Sequence, residues 1–187
     1  MTALLTAHKP KLLTAAEFAE RHGGDYVELV DGVVVELPMP FGNHGKLCML
    51  IAYAIMDWVT KNDLGHVASH DSFIFTGTNP DRVRGPDVLF ISYERWPRGP
   101  LPNQVIEVAP ELVVEVRSPS DRWSEVMAKA SEYLAAGVRV AVVVDPDSES
   151  VCVYRDAQAP QVFGRADTLT LPDVLPGFAV PVARLLG

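Results

Sequence analysis

Two acidic residues interrupt apolar runs that otherwise have the composition of buried strands. Asp87 begins the run DVLFI at 87–91, and Glu115 lies within the run LVVEV at 112–116. A carboxylate in such a run costs several kcal/mol to desolvate unless it is paired or holds a metal. Lys129 follows in a segment of helical pattern. These three side chains together predict a site for one divalent metal ion.

The chemistry of such a site favours a hard cation beside a phosphate. Cations such as magnesium take oxygen ligands and keep several waters, so one or two carboxylates are enough to hold them. A lysine supplies a positive charge that orients a nucleophilic water or offsets charge growing on the phosphate oxygens. Arg117 shares the strand face of Glu115, but arginine stays protonated, whereas lysine can give up a proton in acid–base chemistry. We therefore expect Lys129 to be the catalytic cation and Arg117 to hold a phosphate oxygen.

Hydrophobic patterning predicts the elements that position these residues. Strands are expected over 87–92 and 112–117, separated by a loop rich in Pro and Arg. Ser120 is a suitable N-cap for a helix over 121–136. Lys129 lies beside Tyr133 at the edge of the apolar stripe of this helix, from which it can reach along the sheet surface. The predicted stripe consists of Trp123, Val126, Met127, Ala130 and Leu134.

The N-terminal part contains a helix and a hairpin. Thr14 and Glu17 have capping-box spacing, and the helix that they begin ends at Gly23-Gly24. The dipeptide Asp31-Gly32 between two β-branched runs is typical of a hairpin turn. Glu28 falls on the first strand, where a solvated strand face is the simplest interpretation.

A long helix and a buried strand complete the predicted core. Asn43 is the expected cap of an amphipathic helix from His44 to about Asn62 that packs one face on a sheet. His44 lies in the first turn, where the helix dipole disfavours its charged form, so we expect a neutral imidazole that can assist a site. The apolar run Val138 to Val144 is expected to be a strand buried on both faces.

Composition restricts the classes of function. The net charge of -8 argues against strong nonspecific attraction to nucleic acid. The length of 187 residues fits one domain over 14–187 after a flexible segment at 1–13. Cys48 and Cys152 lack disulfide or zinc-ligand spacing and are expected to be buried small hydrophobes. No apolar run approaches the roughly 20 residues of a membrane span, so we expect no membrane association and a cytoplasmic location.

An ordered set of motifs carries a family resemblance. It comprises YVELVDG at 26–32, His44, PDV at 86–88, VEVRSPS at 114–120, Lys129 with Tyr133 and Gly137, and VDP at 144–146. This set, from about Thr14 to the C-terminus, resembles the bacterial restriction-endonuclease-like family called Uma-two. Its PD and E-x-R fragments also resemble the signature of the PD-(D/E)XK nuclease superfamily, with Arg117 in place of the lysine.

The resemblance implies both a fold and an activity. The implied fold is α/β, a restriction-endonuclease-like core with a mixed central β-sheet flanked by helices, plus an N-terminal helix and β-hairpin. The implied activity is DNA cleavage dependent on Mg²⁺ (or Mn²⁺), with Asp87 and Glu115 as metal ligands and Lys129 as the cation relocated onto the following helix. A homodimer is expected, because nucleases that cut both strands often use two-fold symmetry. The supporting site residues are Glu28, His44, Arg117 and Tyr133.

Alternative interpretations of the two acids stay open at the level of sequence. Asp87 could cap a turn at the start of its strand. Glu115 could form a buried salt bridge with Arg84 or Arg117. The chain could also be a catalytically inactive nuclease fold that acts as a binding or regulatory module.

Two other candidate sites are less compatible with the pattern. His66 and His70 lie four residues apart, which on a strand separates them by about 13 Å, too far to share one zinc ion. Asp145 ends a buried strand, as an aspartate nucleophile of phosphoryl transfer does. The chain after Asp145 turns directly into another strand, so no helix N-terminus is available for a phosphate.

Overall fold

The computed structural model describes residues 11–39, 41–69 and 72–187. The N-terminal residues 1–10 of the segment expected to be flexible therefore lie outside the described part. The elements in chain order are α1 (Ala15–His22), β1 (Val27–Val30), β2 (Val33–Glu36), α2 (Gly42–Lys61), β3 (Gly65–Ser69), β4 (Ile74–Gly77), β5 (Arg82–Arg84), β6 (Val88–Ser92), β7 (Leu112–Val116), α3 (Trp123–Ala135), β8 (Val140–Asp145), β9 (Ser150–Tyr154), β10 (Gln161–Gly164), β11 (Thr168–Leu171), β12 (Leu175–Pro181) and α4 (Val182–Leu186).

A mixed sheet forms the centre of the fold, as expected. Within the described residues, its six strands have the order β10-β9-β8-β7-β6-β3. The central pair β7 and β8 is parallel, whereas the neighbouring pairs are antiparallel. Helix α3 connects the two parallel strands, which is the crossover that a parallel pair requires. A second sheet of order β2-β1-β5-β4 and the pair β11-β12 complete the strand arrangement.

Alternate residues of the central strands pack on opposite faces of this sheet. Val114 and Val142 belong to the core that includes helix α2. Val113 and Val143 belong to the core that includes Tyr133 of α3. Glu115 has the same parity as Val113, so its side chain leaves the sheet on the face that α3 covers. Strand alternation therefore determines which helix meets this carboxylate.

The N-terminal helix and hairpin form as predicted. The Thr14 hydroxyl accepts a hydrogen bond from the Glu17 backbone N–H, and the Glu17 carboxylate accepts one from the Thr14 backbone N–H. Asp31 and Gly32 both have positive φ, 49° and 75°, which is the conformation that a tight hairpin turn of this kind requires. Leu13 donates its backbone N–H to Gly32 O at 2.8 Å, so the chain before α1 is bonded to this turn.

The caps of the two long helices differ from the predicted ones. Helix α2 begins at Gly42 after Phe41, without a side-chain cap, rather than at a capping Asn43. Helix α3 begins after Arg122 rather than Ser120. The Asp121 carboxylate instead accepts the Ser118 backbone N–H, which closes a local turn before the helix. Competing local hydrogen bonds therefore delay the helix by two residues.

The buried face of α3 is rotated from the predicted stripe. Trp123 and Met127 are exposed, whereas Val126, Ala130 and Tyr133 are buried. The buried positions are spaced by four and three residues, so Lys129 lies directly beside them. The rotation brings the lysine over the sheet face that carries Glu115.

Candidate active site

Asp87 is held at the edge of the central sheet by the backbone of β7. It precedes β6, and only 8% of the residue is exposed. Its Oδ2 atom accepts the Val116 backbone N–H at 2.7 Å. The carboxylate is thus bonded to the residue that follows Glu115, rather than serving only as a cap for its own turn.

His44 contacts both Asp87 and the end of β7. Its Nε2 atom lies 3.0 Å from Val116 O and 3.5 Å from Asp87 Oδ2. The Asp87 carboxylate and, to a smaller extent, the Cys48 thiol raise the pKa of His44 to about 10. The prediction of a neutral imidazole is therefore wrong. The nearby carboxylate outweighs the unfavourable dipole at the start of α2.

Glu115 is bonded to α3, which packs over its sheet face. The Tyr133 hydroxyl donates to Glu115 Oε1 at 2.5 Å, and Lys129 Nζ lies 4.0 Å from the same oxygen. Burial raises the pKa of Glu115 to about 7, and the Asp87 and Glu28 carboxylates add to the rise, while Lys129 and Tyr133 oppose it. Among the described residues, Glu115 makes its polar contacts with α3 rather than the alternative salt bridge with Arg84 or Arg117.

Lys129 lies between two acids. Its ammonium contacts Glu28 Oε1 at 2.9 Å, and the lysine side chain is 25% exposed. Burial alone would lower the pKa of Lys129, but the Glu115 and Glu28 carboxylates outweigh it and raise the pKa above its usual value. The lysine therefore stays protonated and provides a fixed positive charge.

Glu28 is buried, contrary to the expected solvated strand face. It is 1% exposed and accepts hydrogen bonds from Arg84 Nη1 at 2.8 Å and from the Gly85 backbone N–H at 3.3 Å. Arg84 also forms a fork on Glu132, with contacts of 2.9 Å from Nε and 2.6 Å from Nη2. The charges of Arg84 and Lys129 stabilise the buried Glu28 carboxylate. Its partners come from β5 and α3, which lie far from β1 in the sequence.

Arg117 points to a different set of partners than predicted from its strand face. Its Nη1 atom contacts Asp145 Oδ1 at 2.8 Å and Asp147 Oδ2 at 3.0 Å. Its guanidinium also lies 5.4 Å from the centre of the Trp123 ring. A phosphate at Arg117 would therefore have to compete with two carboxylates that already hold this side chain.

Two adjoining cavities share Glu115 and Lys129 in their lining. The larger cavity, of about 450 Å³, also reaches Arg117 and Glu28. The smaller cavity, of about 70 Å³, is lined by His44 and Asp87 as well. The predicted residues Asp87, Glu115 and Lys129 thus meet at the smaller cavity, with a larger opening next to them.

The remaining candidate residues do not contribute to this centre. His66 contacts Pro97 O at 3.1 Å, and its proposed partner His70 lies outside the described residues. Asp145 pairs with Arg117, and β9 follows it directly, as expected from the sequence.

Sequence reasoning missed Cys48 as a neighbour of the site. The thiol is partly buried, and its Sγ atom lies 3.4 Å from His44 Nδ1. The available signal was the four-residue spacing of His44 and Cys48 on one helix, which places both side chains on the same face. Arg84 and Glu132 were also missed as anchors of Glu28, and no local pattern links them.

Comparisons with known proteins agree with this architecture. No curated protein matches the chain significantly. A crystal structure from Anabaena variabilis ATCC 29413, described as "a putative nuclease belonging to DUF820", superposes with a TM-score of 0.81 at 23% identity, covering 93% of this chain and 97% of that one. No described helix has both the length and the apolar character of a membrane span. The model of the Uma2 (Uma-two) family, described as "Putative restriction endonuclease", matches residues 14–183, and the chain therefore belongs to that family.

Proposed function

We propose that this protein is a metal-dependent endonuclease that hydrolyses phosphodiester bonds in DNA. The observation that carries the proposal is the meeting of Asp87, Glu115 and Lys129 at one cavity. The family description supports a nuclease, and the PD and E-x-R fragments favour the PD-(D/E)XK superfamily. The proposal includes a two-fold homodimer, which would present one centre to each DNA strand.

The donor atoms at the cavity fit a hard divalent cation. The contacts of Asp87 with the Val116 N–H and with His44 use Oδ2, and the contacts of Glu115 with Tyr133 and Lys129 use Oε1. The second oxygen of each carboxylate takes no part in these contacts, so it could bind a cation. Mg²⁺ and Mn²⁺ both prefer such oxygen ligands. When bound, such a cation would polarise a phosphoryl oxygen as a Lewis acid.

The other residues would hold these groups and supply charge. Lys129 keeps its proton, so its role is to stabilise charge that develops on the phosphate oxygens and to orient water, rather than to act as a general base. Glu28 fixes the lysine, and Tyr133 fixes Glu115. His44 Nε2 lies 3.5 Å from Asp87 Oδ2 and so places a positive charge beside that carboxylate.

A nicking assay on supercoiled plasmid with Mg²⁺ or Mn²⁺ tests the activity. We expect cleavage by the wild type and a loss of about 100- to 1,000-fold in Lys129→Ala, since this is the usual cost of one electrostatic donor. Glu115→Ala should be inactive. Lys61→Ala is a matched control, because Lys61 is exposed and pairs only with Asp57 on the surface of α2 among the described residues. Unchanged cleavage by folded Lys129→Ala would contradict the assigned role.

A thermal-shift measurement tests the metal site separately. Mg²⁺ or Mn²⁺ should raise the thermal midpoint of the wild type but not that of Asp87→Ala. The absence of any response in the wild type would refute the metal-dependent mechanism. DNA binding without cleavage would instead favour a catalytically inactive binding module, an alternative supported by the net charge of -8 and by the engagement of Arg117 with Asp145.

A further inference from the structure

Two side chains that line the smaller cavity, His44 and Asp87, form a ligand set with Cys48 that differs in kind from the two carboxylates. His44 and Cys48 lie one turn apart on α2, and Asp87 faces them from the start of β6. One ligand atom from each of the three lies within 4.8 Å of the others. The set combines a nitrogen, a sulfur and an oxygen, whereas a magnesium site needs oxygen alone.

The hydrogen bonds of His44 orient one ring nitrogen toward the thiol. Val116 O can only accept, so the contact at 3.0 Å requires a hydrogen on His44 Nε2. His44 Nδ1 then faces Cys48 Sγ at 3.4 Å. A histidine that binds a metal through one ring nitrogen commonly donates its other N–H to a backbone carbonyl, which fixes the ring. Val116 provides this carbonyl.

The spacing of the nitrogen and the sulfur matches a tetrahedral ion. Zinc lies about 2.0–2.1 Å from histidine nitrogen and about 2.3 Å from cysteine sulfur, so tetrahedral coordination separates the two ligand atoms by about 3.6 Å. The observed separation of Nδ1 and Sγ is 3.4 Å. An ion could therefore replace the proton between them with a shift of a few tenths of an ångström.

We propose that His44 Nδ1, Cys48 Sγ and an oxygen of Asp87, moved from its present contact with His44 Nε2, bind a thiophilic divalent ion of the zinc class. Thiolate and imidazole ligands select such ions over Mg²⁺. Binding releases the Cys48 thiol proton and the Nδ1 proton of the charged His44 to solvent. Three protein ligands leave a fourth position for water, and the smaller cavity, which His44 and Asp87 line, provides the entry path.

The shared ligand makes this site antagonistic to the proposed nuclease centre. The two ions would share the Asp87 carboxylate, and two dications held by one carboxylate repel each other, so an ion at Cys48 weakens binding of Mg²⁺ at the other oxygen. This consequence rests on the proposed function, whereas binding of the thiophilic ion does not. The site would thus let the zinc-class ion switch cleavage off.

A cadmium titration of the metal-free protein tests binding without reference to activity. Cd²⁺ bound to a thiolate gives an ultraviolet charge-transfer band. We expect this band in the wild type and in Cys152→Ala, and its loss in Cys48→Ala. Cys152 is the matched control, because it is also a free and partly buried cysteine but lies on β9. A band of equal strength in Cys48→Ala, or none in the wild type, would overturn the proposal.

A second measurement needs no variant. Alkylation of the wild type, with peptides analysed by mass spectrometry, should show that Zn²⁺ slows modification of Cys48 but not of Cys152. Equal protection of both thiols, or protection of neither, would contradict the site and leave Cys48 as a packing residue hydrogen-bonded to His44.

The coupling to catalysis is tested in the plasmid assay with Mg²⁺ and increasing Zn²⁺. Changes to outer partners of a metal site alter metal affinity by about 10- to 100-fold, so loss of the thiolate should raise the inhibitory Zn²⁺ concentration at least about tenfold in Cys48→Ala. Equal inhibition of Cys48→Ala and Cys152→Ala would refute the coupling. If the wild type does not cleave at all, the proposed function fails, while the cadmium band still decides the thiophilic site.

Discussion

The substitution Tyr133→Phe isolates one contact of the candidate site. Tyr133 is fully buried, and its hydroxyl donates to Glu115 Oε1 at 2.5 Å. Phenylalanine keeps the ring that packs with Val126 and Ala130, so no large cavity is created. The variant therefore removes a hydrogen bond to a proposed metal ligand while preserving the core around it.

The expected cost follows from the protonation of Glu115. Hydrogen bonds contribute about 0.5–1.5 kcal/mol between neutral groups and about 1.5–3 kcal/mol to charged groups. Burial raises the pKa of Glu115, which makes the charged form of its carboxyl less favourable than in an exposed glutamate. We therefore expect a loss of about 1–2 kcal/mol in the free energy of unfolding. This corresponds to a decrease of about 2–8 °C in the thermal midpoint for a chain of this size.

The same substitution should also weaken the binding of a metal ion by Glu115. An outer partner that orients a ligand typically changes metal affinity by about 10- to 100-fold. Mn²⁺ affinity, measured by calorimetry, should fall by this factor in Tyr133→Phe. Tyr154→Phe is the control, because Tyr154 is a buried tyrosine on β9 whose loss should leave the affinity unchanged. Wild-type affinity in folded Tyr133→Phe would refute the role of Tyr133 in positioning Glu115.

Two further predictions concern the scaffold. Burial raises the pKa of Glu132, but hydrogen bonds from Arg84 and Thr76 outweigh it and lower the pKa below its ordinary value. Ionised Glu132 therefore stabilises the folded protein above the ordinary carboxyl pKa, and this stabilisation is lost as the pH falls. The gap in thermal midpoint between the wild type and Glu132→Gln should narrow from pH 7 to pH 3, with the exposed Glu36→Gln as control, and a constant gap would contradict this. Gly65→Ala would place a Cβ only 2.1 Å from the backbone of β6, so urea unfolding should show a loss of about 1–3 kcal/mol in the free energy of unfolding. The control Gly42→Ala has open space around its Cβ and should lose little. Equal losses in the two variants would be evidence against the close approach at Gly65.

Local patterns predict most of the elements because they depend on short-range rules. The turn at Asp31-Gly32 gives the predicted hairpin, since the two strands pair from Val30 and Val33 outward. The apolar residues of α2 pack on the sheet with the predicted periodicity. Cap positions are less accurate, because neighbouring polar side chains compete for the same backbone groups, as Asp121 does before α3.

The surroundings of the acids could not be derived from the sequence, because their partners are distant along the chain. Glu28 meets Arg84 after 56 residues and Lys129 after 101 residues. The alternation of residues along β1 allows the Glu28 side chain to face either solvent or the interior. Burial becomes favourable only because Arg84 and Lys129 pair with its carboxylate. The protonation of His44 depends on Asp87 in the same way. Helix-dipole reasoning considered α2 alone and therefore assigned the wrong charge state.

The arrangement of charge explains how several acids can share this interior. Arg84 bonds Glu28 and Glu132, and Lys129 bonds Glu28 while also approaching Glu115. A buried carboxylate is tolerated when cations and hydrogen bonds compensate its desolvation. Burial raises the pKa of Glu115, and Lys129, which lies closer to Glu28, opposes this rise only in part. Because Glu115 lines both cavities, a cation bound there would compensate the charge of this carboxylate.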